Sequence, residues 1–228
     1  MLNVIPANLE LILRRIGRGA VYYAVDDSDQ PVRWDPGTPI AMKFLGDTEG
    51  EITITPNGTM ANLTLPELSG DAVHEAEYVG DNPVLEIPLF LANPNLFPVV
   101  SPTGLSSAGH QRVRPADERT VLVIPERLMR KNDGTYANLS FADGIGWQLD
   151  GAPLDAAHQT LLGLSFWLWR CYAARPTRRF LGGHGDDGKN IETVTFQGMM
   201  HPLMPDGHRI FTCGDPTLAG INIDPSVS

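Results

Sequence analysis

Hydrophobic and polar positions alternate along this chain in short runs, each ended by turn-forming residues. Residues 20–25 (AVYYAV) are rich in β-branched and aromatic side chains and stop at Asp26, Asp27, Ser28 and Asp29. A second run spans 38–45. Residues 51–55 (EITIT) alternate strictly, which puts Ile52 and Ile54 on one face of a strand. The turn signal Pro56, Asn57, Gly58, Thr59 predicts a hairpin that returns through 60–65. Residues 73–79 and 84–91 flank Gly80, Asp81, Asn82 and Pro83, which predicts a second hairpin. Pro88 marks the latter run as an edge strand or a bulge. Further strands are expected at 120–124, 191–200 and 209–213, with an irregular tail after Asp215. Short runs so punctuated predict a mainly β, antiparallel domain.

Two stretches break this rhythm. Residues 93–118 are rich in Pro, Gly and Ser and poor in strand signals, so they predict a long loop or arm. Residues 150–174 predict a helix. Leu154, His158, Leu161, Leu162, Ser165, Trp169 and Tyr172 recur at three- and four-residue spacing, and Leu164, Phe166 and Leu168 widen the apolar arc. Pro153 and Asp155 suit a first turn, Arg170 and Arg175 suit the last, and Pro176 ends it. A helix with so wide an apolar arc is expected to lie buried against a sheet or a neighbouring subunit.

Composition narrows the class. At 228 residues and 42% hydrophobic, the chain suits a single domain, 1–228, with a core. No stretch approaches the ~18 uninterrupted apolar residues of a membrane span; the densest, 161–174, contains Gly163, Ser165 and Arg170. The first 16 residues carry Glu10 and place Arg14 and Arg15 after the apolar stretch, not before it. That order is unlike a secretion signal, so folding in a cytoplasm is expected. Two cysteines, Cys171 and Cys213, require no disulfide.

A formal charge of −10 argues against a protein that grips nucleic acid by neutralising phosphates. Its distribution says more. No Lys or Arg occurs between Lys43 and Arg112, a stretch that holds Asp47, Glu49, Glu51, Glu67, Asp71, Glu75, Glu77, Asp81 and Glu86. Basic residues cluster elsewhere, at Arg14, Arg15 and Arg18, at Arg127, Arg130 and Lys131, and at Arg175, Arg178 and Arg179. This pattern fits an acidic solvated face, or a surface that must repel polyanions while basic patches dock acidic neighbours.

Candidate chemistry is sparse. Residues 183–190 satisfy G-x-x-x-x-G-K, but Asn190 stands where Ser or Thr should ligate magnesium. The segment also leads into a β pattern, and Asp186 and Asp187 would repel phosphate. His184, His201, His208 and Cys213, with Asp186, are the metal lead, but their spacings match no paired-ligand motif. Ser165 lies outside any G-x-S-x-G elbow, and Cys171 reads as a buried thiol. Glu75 and Glu77 share a strand face at a spacing that would suit acid–base work, although an exposed acidic strand is the plainer reading. No catalytic, cofactor or metal residue is assigned.

Residues 17–23 (GRGAVYY) followed by 42–54 (MKFLGDTEGEITI) resemble the opening of tail tube, or major tail, proteins of long non-contractile-tailed bacteriophages. The stretch from 65–70 (LPELSG) to 87–89 (IPL) is similar to the same family. The likeness covers about residues 15–90. It implies a β-sandwich or barrel flanked by a helix, here the helix from Pro153, with extended loops or arms. It also implies homohexameric rings stacked into a tube, joined by strands across subunits and by arms such as 93–118. The implied partners are other copies of the chain and the terminator, distal tail and tape measure proteins. On the same resemblance DNA is expected to pass through the lumen without specific binding, with no membrane or cofactor involved. The expected place of action is the virion, after synthesis in the host cytoplasm. On this reading some of Glu49, Glu51, Glu75, Glu77 and Glu86 face the lumen, and 191–228 forms a C-terminal β region. The rival readings are another virion part (a tail terminator, capsid decoration or baseplate protein) and a metal- or nucleotide-binding enzyme built on 183–213.

Overall fold

The computed structural model describes residues 18–48, 52–55, 59–64, 73–79, 82–91, 96–100, 117–142, 144–154, 162–173 and 192–223. The strands are β1 (Gly19–Val25), β2 (Ile40–Thr48), β3 (Thr53–Thr55), β4 (Thr59–Thr64), β5 (Val73–Val79), β6 (Val84–Leu91), β7 (Arg119–Pro125), β8 (Leu139–Ala142), β9 (Gly146–Leu149), β10 (Ala152–Pro153), β11 (Phe166–Ala173), β12 (Glu192–Gly198) and β13 (Phe211–Cys213). Phe97–Val100 and Glu126–Met129 form single helical turns. Eleven strands join one antiparallel sheet, and β4 pairs with β5 in a separate ribbon.

Pairing runs β2–β1–β7–β11–β12–β6 and returns to β2 through Gly46, Asp47 and Thr48 opposite Leu91, Phe90 and Leu89. Six strands therefore close into a barrel. Its interior takes one set of alternating side chains, represented by Val21, Leu45, Ile87, Val123, Leu168 and Val194, one from each barrel strand. Val99 and Val100, from the first helical turn, are buried among them. A second core lies outside the barrel wall. There Tyr22, Met42, Leu122, Trp167 and Trp169 pack against Leu139, Trp147 and Leu149 of β8 and β9, and against Met204, Ile221 and Ile223. β1 and β7 separate the two cores and are buried at every position.

All four tryptophans stand in a row through the outer core. Trp34 and Trp169 are 5.4 Å apart, Trp169 and Trp167 5.0 Å, and Trp167 and Trp147 5.7 Å. Three ring N–H groups find acceptors: Trp34 donates to Thr38 O, Trp167 to Ser165 Oγ and Trp169 to Thr212 Oγ1, at 2.8–2.9 Å. Tyr22 donates from its hydroxyl to Ala137 O at 2.8 Å, and burial pushes its pKa far up, which keeps the donor protonated.

Two bulges shape the barrel, each where a strand changes partner. On β2 the register with β1 slips near Leu45, between the stretch paired to β8 (Ile40 to Met42) and the stretch paired to β6. On β11 it slips between Leu168 and Cys171, where the outer partner changes from β13 to β12. An extra residue bends the strand and turns its side chains over, which lets one strand serve two neighbours.

The helix expected over 150–174 does not form where the chain is described. Ala152–Pro153 and Phe166–Ala173 are strands; 155–161 lie outside the described residues. β11 is buried on both faces, with Trp167 and Trp169 in the outer core and Leu168, Cys171 and Ala173 in the barrel. A strand apolar on both faces, its alternation interrupted by a bulge, gives the continuous apolar run of a buried helix.

The hairpins also pair otherwise than expected. β3 pairs with β6 and β4 with β5, so the two predicted hairpins are nested. Thr55 opposes Val84 and Thr59 opposes Val79, so the two antiparallel pairings differ in register by a single residue. Pro88 falls between the stretches of β6 that pair with β3 and with β2, where that edge needs no ladder donor.

The closure is tight at Gly46, where a Cβ would lie 2.1 Å from Phe90 O. Gly46→Ala is expected to destabilise the fold by about 3 kcal/mol or more, because backbone must move. Gly37→Ala, at φ 85° with open space around it, is expected to cost about 1 kcal/mol. Urea denaturation of both variants checks the ranking.

Candidate functional site

The outer core covers β1, β7, the start of β2 and much of β11, but among the described residues the outward face of β3, β6 and β12 carries no such layer. Thr53 and Thr55 of β3, Glu86 and Phe90 of β6 and Thr193 of β12 are exposed there, and Thr195 and Gln197 are half-buried. The register sets Thr53 and Thr195 on either side of Glu86. None of the three strands contains a Lys or Arg. β3 ends the sheet, and its outer edge has no strand partner among the described residues. The result is a threonine-rich wall around the Glu86 carboxylate, with Phe90 also exposed, bordered by an edge left open among the described residues.

This face arises from simple alternation. In β12 Val194 and Phe196 fill the barrel while Thr193, Thr195 and Gln197 turn outward. In β6 Leu85, Ile87 and Leu89 turn inward and Glu86, Pro88 and Phe90 outward. Among the acidic lumen candidates, Glu86 lies on the uncovered face. Glu75 and Glu77 stand on β5 opposite Leu63 and Ala61, away from the barrel sheet, and their side chains lie outside the description. Glu49 and Glu51 lie outside the described residues.

A second cluster gathers charge from four segments. Arg33 pairs with Asp35 at 2.8 Å and with Glu118 at 2.9 Å; Arg170 reaches the other oxygen of Glu118 at 2.7 Å. The guanidinium of Arg33 is held protonated above its ordinary range, chiefly by its hydrogen bond to Asp35. His201 is fully buried and sits 3.0 Å from Asp35. Glu118 is enclosed and both arginines remain partly in solvent, an arrangement suited to tying segments together.

The other leads separate. His208 Nδ1 lies 3.2 Å from Thr212 Oγ1, Cys213 is exposed, and His184 with the whole of 183–190 lies outside the described residues. Among the described residues no three His, Cys, Asp or Glu side chains gather into a metal-binding group. Ser165 precedes β11, where its Oγ lies 2.6 Å from Leu162 O and 3.0 Å from Gly214 O. Cys171 is buried, its thiol donates to Arg119 O at 3.3 Å, and burial pushes its pKa far up. A thiol so placed is a poor nucleophile. Val99, Val100, Asp117 and Glu118 are buried, and the rest of the expected 93–118 loop, at 93–95 and 101–116, lies outside the described residues.

No protein-family model matches this chain, and no curated protein is significantly similar to it.

Glu118→Gln is expected to cost about 2 kcal/mol, since it leaves two guanidiniums without their shared carboxylate. Asp206→Asn, at an exposed ion pair with Arg209, is expected to change stability by less than about 0.5 kcal/mol. Chemical denaturation of the two variants at one ionic strength checks the contrast.

Proposed function

We propose that the chain is a virion structural protein of the tail-tube type, which polymerises as stacked hexameric rings into the conduit for DNA delivery. The observation that carries this reading is the uncovered face of β3, β6 and β12, free of Lys and Arg and bordered by an open strand edge. A wall that DNA slides past must not bind phosphate, because each cation on it would release counterions and hold the polyanion. Hydroxyls and a carboxylate meet that requirement. An open edge with exposed Thr53, Ile54 and Thr55 supplies backbone groups that a neighbouring subunit can pair. Head-to-tail contacts of this kind close into a ring when the rotation between copies allows it.

The ribbon of β4 and β5 and residues 101–116 are the segments available for ring-to-ring contact. Deleting 102–115 is expected to leave a folded subunit that no longer makes long tubes, whereas removing all of 93–118 would also take Val99 and Val100 out of the barrel.

Negative-stain electron microscopy across a concentration series is expected to show six-fold rings that stack into tubes. A closed oligomer that never stacks would instead favour a terminator or decoration protein. The lumen assignment has its own test in tubes carrying Glu86→Lys and Thr195→Lys. These are expected to co-sediment with short duplex DNA at low salt and release it as salt rises, while wild-type tubes do not bind. Variant tubes that ignore DNA at 20–50 mM salt, about the range where such contacts are strongest, would place this face on the outside.

A further inference from the structure

We propose that residues 199–223 form an acid-released strap over the tryptophan row, with His201 as its latch. After β12 the chain leaves the barrel and crosses the outer core. There Phe211–Cys213 pairs with Phe166–Leu168 of β11, and Met204, Ile221 and Ile223 are buried. Arg170 donates to Met200 O at 3.1 Å and Gly37 N–H to Asn222 O at 3.3 Å. Met199 N–H donates to Arg170 O at 2.8 Å, Trp169 N–H to Ile210 O at 3.2 Å and Gly214 N–H to Ser165 O at 2.8 Å. Thr212 Oγ1 accepts from the Trp169 ring. His201 adds a side-chain tie and is fully buried.

Its geometry fixes its protonation. Nε2 lies 3.1 Å from Trp34 O and 3.0 Å from Asp35 Oδ1, both acceptors, so Nε2 carries the proton. Nδ1 accepts from Leu203 N–H at 3.3 Å and must therefore be bare. The docked strap holds the neutral Nε2–H tautomer; a second proton at Nδ1 would set two donors against each other.

Every segment packed nearby contributes charge. Asp35 favours a protonated ring and Arg33 opposes it from the same connection; Glu118, just before β7, and Arg170 of β11 complete the network around Arg33. On the strap, Arg209 is paired with exposed Asp206, and His208 is bonded to Thr212. Desolvation is the largest influence, and the docked ring's pKa is lowered below its ordinary value. The sign follows. Once the strap lifts, the ring regains a pKa near ~6.5, so the open form binds more protons than the docked form in the window below that value. Docking is fully stable above ~6.5 and weakens as pH falls, by about tenfold in the opening equilibrium per pH unit for one proton.

Hydrogen exchange at Met199, Trp169 and Gly214, corrected for intrinsic rates, reads the opening directly. Wild-type protection is expected to fall about tenfold per unit between pH 6.5 and the docked ring's pKa. His201→Gln keeps a donor and an acceptor without titrating and is expected to abolish the slope; His208→Gln is expected to retain it. Protection independent of pH in the wild type, or a slope that survives His201→Gln, overturns the proposal. Should that variant not fold, NMR titration of the His201 ring decides: a ring that titrates with strap opening supports the latch. A ring that stays neutral while the strap opens overturns it.

Discussion

Closure of the sheet on itself is the constraint from which the rest of this structure follows. The last three residues of β2 pair with the end of β6, and that contact turns an open sheet into a barrel with an interior. β2 can reach β6 only because a bulge bends it away from β8, and Gly46 presents no Cβ where Phe90 O comes close. With the barrel closed, inward side chains are committed to one core. The outward side chains must be covered by another layer or left polar.

Both solutions are used, on opposite sides. Over β1, β7 and β11 the outward residues are apolar, with Tyr22, Trp167 and Trp169 among them, and β8, β9 and the 199–223 segment cover them with a second core. Over β6 and β12 they include threonine, glutamine and glutamate as well as Pro88 and Phe90, and no second layer covers them among the described residues. The barrel thus has a thick side and a thin side. The thin side carries the open edge of β3, and the proposed assembly places that side toward other copies and the lumen.

Charge follows the same division. The arginines of the described barrel end, Arg33 and Arg170, are turned onto Glu118 and bind the thick side together, with His201 closing the network beneath the strap. Their positive charge is spent on internal carboxylates, so the cluster offers little field to a passing polyanion. The thin side needs no such compensation because β3, β6 and β12 contain no Lys or Arg.

Local alternation alone revealed the mainly β class and most of the strands, because a half-buried strand writes its two faces into a period of two. The basic-free stretch containing Glu86 was equally legible, since charge needs no folding to be counted. Strand partners were not legible. The runs at 51–55 and 60–65 fit a short hairpin as well as the nested one, and only the β6 edge already engaged by β2 and β12 decides between them. Nor was the state of 166–173, where burial on both faces and a bulge erase the period that separates strand from helix. His201 and Arg33 are far apart in the chain and unremarked by any motif; the barrel brings them together. Sequence determined which residues prefer water and which do not, and tertiary structure decided which of them meet, because closure and register are properties of the whole ring of strands.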